Sequence, residues 1–153
     1  MTPQPAPQAQ PPILTGQHIG QAHYATRALL ESSLAQHGLP FPSWLMASFI
    51  ATAGPGVTEA AAIERITGGL KVDEATARAA LTDLVARGLV VRTGDATASV
   101  ELTETGNGLV QELLTATSGI AERLYGDLSP ADLETARRVL DTVTQRANAE
   151  LAS

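Results

Sequence analysis

One short ribbon between Leu89 and Leu102, set among segments that all repeat with helical spacing, restricts this fold more than any other feature. Leu89-Val90-Val91-Arg92 is a β-branched run, and Thr93-Gly94-Asp95-Ala96 is a turn signal. Ala98-Ser99-Val100-Glu101-Leu102 then alternates as a half-buried strand does. Two short strands do not make a stable core alone, so the core of this 153-residue chain is expected to be helical. Aromatic residues are only 3%, which leaves Ala, Leu, Ile and Val to fill it, a mix that favours helices. With no cysteine, disulfides, thiolate metal sites, a cysteine nucleophile and a thiol redox sensor are all excluded.

Helical periodicity flanks the ribbon on both sides. From Pro12 to His37, residues Ile19, His23, Leu30 and Leu34 share a face, and Gly38 with Pro40 stops the run. Ser43 is placed to cap a second helix, Trp44 to about Ala53, before the Gly54-Pro55-Gly56 break. Thr58 caps a third through Ile66, closed by Gly68-Gly69. Asp73 caps a fourth through Arg87, with Ala77, Leu81 and Leu84 inward and Gly88 at its end. After the ribbon, Thr103 starts a long helix on Leu109, Leu113, Ile120 and Leu124. Ser129-Pro130-Ala131-Asp132 resembles a capping box and opens a last helix on Leu133, Ala136, Leu140, Val143 and Ala147.

The predicted order is α-α-α-α-β-β-α-α, a mainly α fold with a winged helix-turn-helix at its centre. The expected organisation is a Pro/Gln-rich tail over residues 1–12, which hold five of the nine prolines, and one domain over 13–153. Within it the winged core spans about 42–102, flanked by helices over about 13–37 and 103–151. Those flanking helices are too long and too apolar on one face for a winged core of this size. Their cheapest burial is against a second copy, so a homodimer is expected.

Net charge is −6, and the excess lies after residue 92. Residues 56–92 balance five basic side chains against five acidic ones, whereas 108–153 hold four arginines against seven acids. Such a balance argues against a protein that coats nucleic acid. No apolar run approaches the roughly 18 residues of a membrane span, and residues 1–12 lack the basic and apolar regions of a signal peptide. A cytoplasmic location without a membrane partner is expected.

Several stretches carry a family resemblance. These are Pro42-Ser43-Trp44-Leu45, Gly54-Pro55-Gly56-Val57-Thr58, the run from Leu84 through Gly88 to Arg92, and Leu102-Thr103-Glu104-Thr105-Gly106. Through them residues 13 to about 150 resemble the MarR family of bacterial regulators. The resemblance implies a triangular homodimer held by the first, fifth and sixth helices, with an effector pocket between those helices and the winged domain. It also exposes departures. Where DNA-binding members usually carry an arginine midway along the recognition helix, this chain has Ala79, and its wing turn holds Asp95 and no basic residue. Lys71, Thr76 and Arg78 remain as DNA-facing candidates beside the acids Asp73 and Glu74. Phosphate contacts dominate DNA affinity, so binding is expected to be weak.

The ligand-binding candidates are His18, His23, Tyr24, Arg27, Trp44 and Phe49, from the two helices that wall the implied pocket. Four of the five aromatic residues fall between positions 24 and 49, and aromatics supply rigid contact area in apolar pockets. Arg27 is the sole cation before Arg65, suited either to an acidic ligand or to Glu31 one turn on. His18 and His23 lie about 140° apart around a helix, so they do not chelate one ion, and no metal or cofactor is expected. No nucleophile–base pair or phosphate loop occurs, so no catalytic residue is assigned. Were the pocket catalytic, His23, Tyr24 and Arg27 would be the candidates for a cofactor-free reaction. The expected function is a dimeric, ligand-responsive transcriptional regulator with weak or atypical DNA binding. The alternative is a protein of this fold that has lost DNA binding and acts as a small-molecule binder or repurposed enzyme, for instance in a biosynthetic pathway.

Overall fold

A computed structural model describes residues 13–94 and 98–153. The Pro/Gln-rich tail and the wing tip with Asp95 lie outside the described residues. Among these, six helices and a two-stranded antiparallel sheet follow the expected order. They are α1 (Gly16–Ala35), α2 (Phe41–Ala53), α3 (Glu59–Leu70), α4 (Glu74–Ala86), β1 (Val90–Thr93), β2 (Ser99–Leu102), α5 (Glu104–Tyr125) and α6 (Pro130–Leu151). The chain divides into two compact units, the first ending at Leu113 and the second spanning Leu114–Ser153.

The first unit owns the core. Leu34 of α1 and Trp44, Met46, Ala47 and Ile50 of α2 pack with Ile63 and Ile66 of α3 and Leu81 and Leu84 of α4. Val90 and Val100 of the ribbon and Val110 and Leu113 of α5 join them. In the ribbon Val90 pairs with Leu102 and Thr93 with Ser99. Val57 and Thr58 extend it. The Val57 carbonyl accepts from Val100 N at 2.8 Å, and Glu59 N donates to the Ala98 carbonyl at 2.8 Å. The sequence pattern marks only the Gly54-Pro55-Gly56 break and the cap at Thr58 there, with no strand signal.

Two helix starts follow the capping signals: Thr58 Oγ1 accepts from Ala61 N at 3.1 Å and Asp73 Oδ1 from Thr76 N at 2.8 Å. Other ends depart from expectation. Helix α1 begins at Gly16 rather than Pro12, its first turn closed by Thr15 N donating to His18 Nδ1 at 3.2 Å. Helix α2 starts at Phe41, because Pro42 fits a first turn where no amide donor is needed. Ser43 is therefore not its cap. It is buried, and its hydroxyl donates to Asp83 Oδ2 of α4 at 3.1 Å. Helix α3 runs through Gly68 and Gly69 to Leu70, which packs against the core. Ser129 precedes α6 without a side-chain cap bond.

Gly88 shows why a glycine ends α4. Its φ is +69°, Gly88 N donates to the Val85 carbonyl and Leu89 N to the Leu84 carbonyl, each at 3.0 Å. This is the Schellman arrangement, with buried Leu84 and Leu89 as its apolar pair.

The second unit holds the remainder of α5 and all of α6. No residue of α6 is buried. Its stripe residues Leu133, Leu140 and Val143 are 36%, 42% and 43% exposed. Among the described residues no helix is long and apolar enough to cross a membrane.

Candidate functional site

Helices α3 and α4 with the turn between them form the helix-turn-helix, and α4 is its second helix, the position of the recognition helix in DNA-binding examples of this motif. Lys71 sits in the turn in a left-handed conformation, φ +57°, unusual for a residue with a side chain. Asp73 follows as the cap of α4. Hydrogen bonds from the side chain and amide of Thr76 hold its carboxyl below the usual carboxylate range. Thr76 itself and Ala79 are exposed on the helix.

The arginines of this segment are already partnered. Arg78 Nε donates to Glu74 Oε1 at 2.7 Å, and its Nη1 lies 3.7 Å from Glu59 Oε1. Arg92 of β1 donates to Glu59 Oε2 at 2.8 Å, and Arg87 to Asp83 Oδ1 at 2.8 Å. Exposed pairs of this kind add little stability, but they fold carboxylates over the cations that a phosphate would need. Among the described residues from Glu59 to Leu102, only Arg65 and Lys71 are cations with no carboxylate within 4.0 Å. Glu59 was not singled out by sequence reasoning. It stands 19 and 33 positions from the arginines it holds, and no local pattern marks it.

The ligand candidates fall in five places. His18 serves the first turn of α1, with its Nδ1 2.9 Å from Thr15 Oγ1. His23 and Tyr24 are exposed neighbours, their rings 5.4 Å apart. Arg27 pairs with Glu31 at 2.9 Å while its guanidinium stands 4.3 Å from the centre of the Phe41 ring, a cation–π distance. Trp44 is only 4% exposed and belongs to the core. Phe49 lines a different surface, a cleft of about 350 Å³ between α2 and α3 that also includes Ser48, Arg65, Ile66, Gly69 and Leu70. A single chain thus brings Arg27 to Phe41 and His23 to Tyr24, and sets Phe49 apart with Arg65. Among the described residues no three His, Asp or Glu side chains form a metal-binding group.

No family model and no curated protein matches the sequence. Solved structures do match in shape. A MarR family transcriptional regulator from Silicibacter pomeroyi aligns over 94% of this chain and 97% of its own, with TM-score 0.72 and 20% identity. MarR from Staphylococcus aureus, in complex with salicylate and kanamycin, covers 88% of this chain and 90% of its own at TM-score 0.74 and 16% identity. A mutant MarR from E. coli complexed with operator DNA covers 84% and 91% at TM-score 0.69 and 20% identity. TM-scores of 0.69–0.74 over 84–94% of this chain and 90–97% of the matched ones show that this chain has the winged-helix fold of the MarR regulators.

Proposed function

We propose that the chain is a dimeric, small-molecule-responsive regulator that binds duplex DNA weakly for its fold. The observation that carries this reading is the pairing of Arg78, Arg87 and Arg92 with Glu74, Asp83 and Glu59. Fold-mates solved with operator DNA and with salicylate support the general class, a DNA-binding regulator that takes small molecules. The exposed pair His23 and Tyr24, with Arg27 clamped between Glu31 and Phe41, is the surface we assign to ligand once a second chain covers α1.

Binding to duplex DNA from the gene's own neighbourhood, measured across salt, tests the proposal. Each phosphate contact contributes about −0.9 to the slope of log affinity against log salt. With Lys71 and a partly neutralised Arg78 per protomer, a dimer engages about four phosphates and gives a slope of about −3 to −4. A slope near −8 with nanomolar operator affinity would falsify the weak-binding reading. The second reading, a binder or enzyme without DNA function, is favoured by the same arginine pairing. No binding at low salt, together with turnover lost in His23→Ala or Arg27→Ala, would establish it.

Asp73 offers a sharper test. Asn is as good a cap as Asp but carries no charge against phosphate. Asp73→Asn is expected to tighten DNA binding several-fold at low salt, with the gain shrinking as salt screens it. It should also flatten the acid limb of the stability profile. The Asp73 pKa is lowered in the fold, so its contribution is present above the ordinary aspartate range and fades as pH falls through the folded value. Unchanged DNA affinity in the variant would place the helix start away from phosphate.

A further inference from the structure

We propose that the cleft between α2 and α3 is a binding site for a small apolar carboxylate, with Arg65 as the anion partner. It is separate from the ligand surface assigned to α1. The cleft measures about 350 Å³, near the small end of the roughly 300–1,000 Å³ that ligand pockets span. Its walls are apolar side chains that pack on the core without being fully buried, chiefly Phe49 and Leu70, with Ile66 behind them.

Polar groups at the cleft are few and asymmetric. Thr52 donates its hydroxyl to the Ser48 carbonyl at 2.9 Å, and Ser48 is itself half-buried on the wall. Arg65 is the one charged side chain of the lining. Among the described residues it has no carboxylate within 4.0 Å, as is also true of Arg123, Arg138 and Arg146, whereas Arg27, Arg78, Arg87, Arg92 and Arg137 each have one. Arg65 also borders an adjoining cleft that Glu64 lines, but the two side chains form no ion pair. A guanidinium without a counter-charge beside apolar walls is complementary to a carboxylate on an apolar body.

The local sequence keeps this space open at a cost. Gly68 and Gly69 lie inside α3, where each glycine lowers helix stability by about 0.5–1 kcal/mol relative to alanine. A Cβ at Gly69 would stand 4.0 Å from a guanidinium nitrogen of Arg65. A longer side chain there would enter the cleft under the arginine.

The test is a titration of the full-length, isotope-labelled protein, without DNA, by hydrocinnamate and by its neutral counterpart hydrocinnamyl alcohol. Saturable amide shifts centred on Ser48, Phe49, Arg65 and Gly69 are expected with the acid. The alcohol should bind at least tenfold more weakly, since a hydrogen bond to a charged group is worth about that much. Arg65→Gln should bring the acid down to the alcohol's affinity while leaving the alcohol unchanged. Gly69→Leu should abolish both by filling the space. Equal affinity for acid and alcohol, no effect of Arg65→Gln, shifts centred elsewhere, or no saturation at millimolar concentration would each overturn the proposal. The outcome is independent of DNA binding, so failure here and failure of the regulator reading are told apart.

Discussion

Gly106→Ala is expected to destabilise the protein by about 3 kcal/mol, the upper end of what overpacking a tight contact costs. The wing closes on itself at this point. Thr103 Oγ1 donates to the Gly88 carbonyl at 2.7 Å and accepts from Gly106 N at 3.0 Å, while Thr103 N donates to the Leu89 carbonyl at 3.0 Å. The first turn of α5 is thereby fastened to the chain as it leaves α4. A Cβ on Gly106 would lie 2.0 Å from that same Leu89 oxygen. Backbone faces backbone, so neither side can yield without breaking the Thr103 bonds. Gly108, two residues on in the same helix, has nothing within 4 Å of its Cβ position. Gly108→Ala should therefore stabilise by about 0.5–1 kcal/mol. Urea denaturation of both variants checks the contrast. If both shift the midpoint alike, the close approach at Gly106 has no energetic weight.

That contact also explains a motif the sequence displayed without a reason. Leu102-Thr103-Glu104-Thr105-Gly106 was legible as a marker of the junction between ribbon and long helix. Its glycine answers to a carbonyl 17 positions earlier, which no local pattern encodes. The element order was legible because each switch from period 3.6 to period 2 is local, as are the caps at Thr58 and Asp73. Ends that depend on tertiary contact were not. Ser43 has the residue type of a cap, but Asp83 on another helix claims its hydroxyl. Gly68-Gly69 has the composition of a stop, but burial of Leu70 carries α3 through it.

The candidate site was legible in residue type and less so in grouping. Missing cations at Ala79 could be read directly. That the remaining arginines would be held by carboxylates could be read only for i,i+4 partners such as Glu74 with Arg78 and Asp83 with Arg87. Glu59, which serves two arginines from a distance, could not. The aromatic cluster between residues 24 and 49 looked like one pocket in sequence. In the fold, Trp44 is core and Phe49 faces α3, because side chains five apart on one helix point to different sides.

Leu140→Asp is expected to convert a dimer at micromolar concentration into a monomer. Helix α6 has 22 residues, and the chain itself buries none of them. Its two sides differ in kind. On one, Glu134 and Asp141 stand in water, and Arg137 at the border of the stripe bridges them at 2.7 Å and 2.8 Å. On the other, Leu133, Leu140 and Val143 repeat at helical spacing and are left uncovered, as are Tyr125 and Leu128 just before the helix. A single helix with an apolar stripe in water is marginal, since packing of that stripe supplies most helical stability. A second copy offers the same stripe and satisfies both at once, as a two-fold interface requires. An aspartate at position 140 would put two carboxylates into that apolar contact, each losing several kcal/mol of hydration or taking up a proton to avoid it. Dimer affinity should fall on the order of a thousandfold, which is about 4 kcal/mol. Arg138→Gln, on the far side of the helix from Leu133 and Leu140, should leave assembly unchanged. Sedimentation at micromolar concentration reads both variants, and a Leu140→Asp protein that still sediments as a dimer would move the interface away from this stripe.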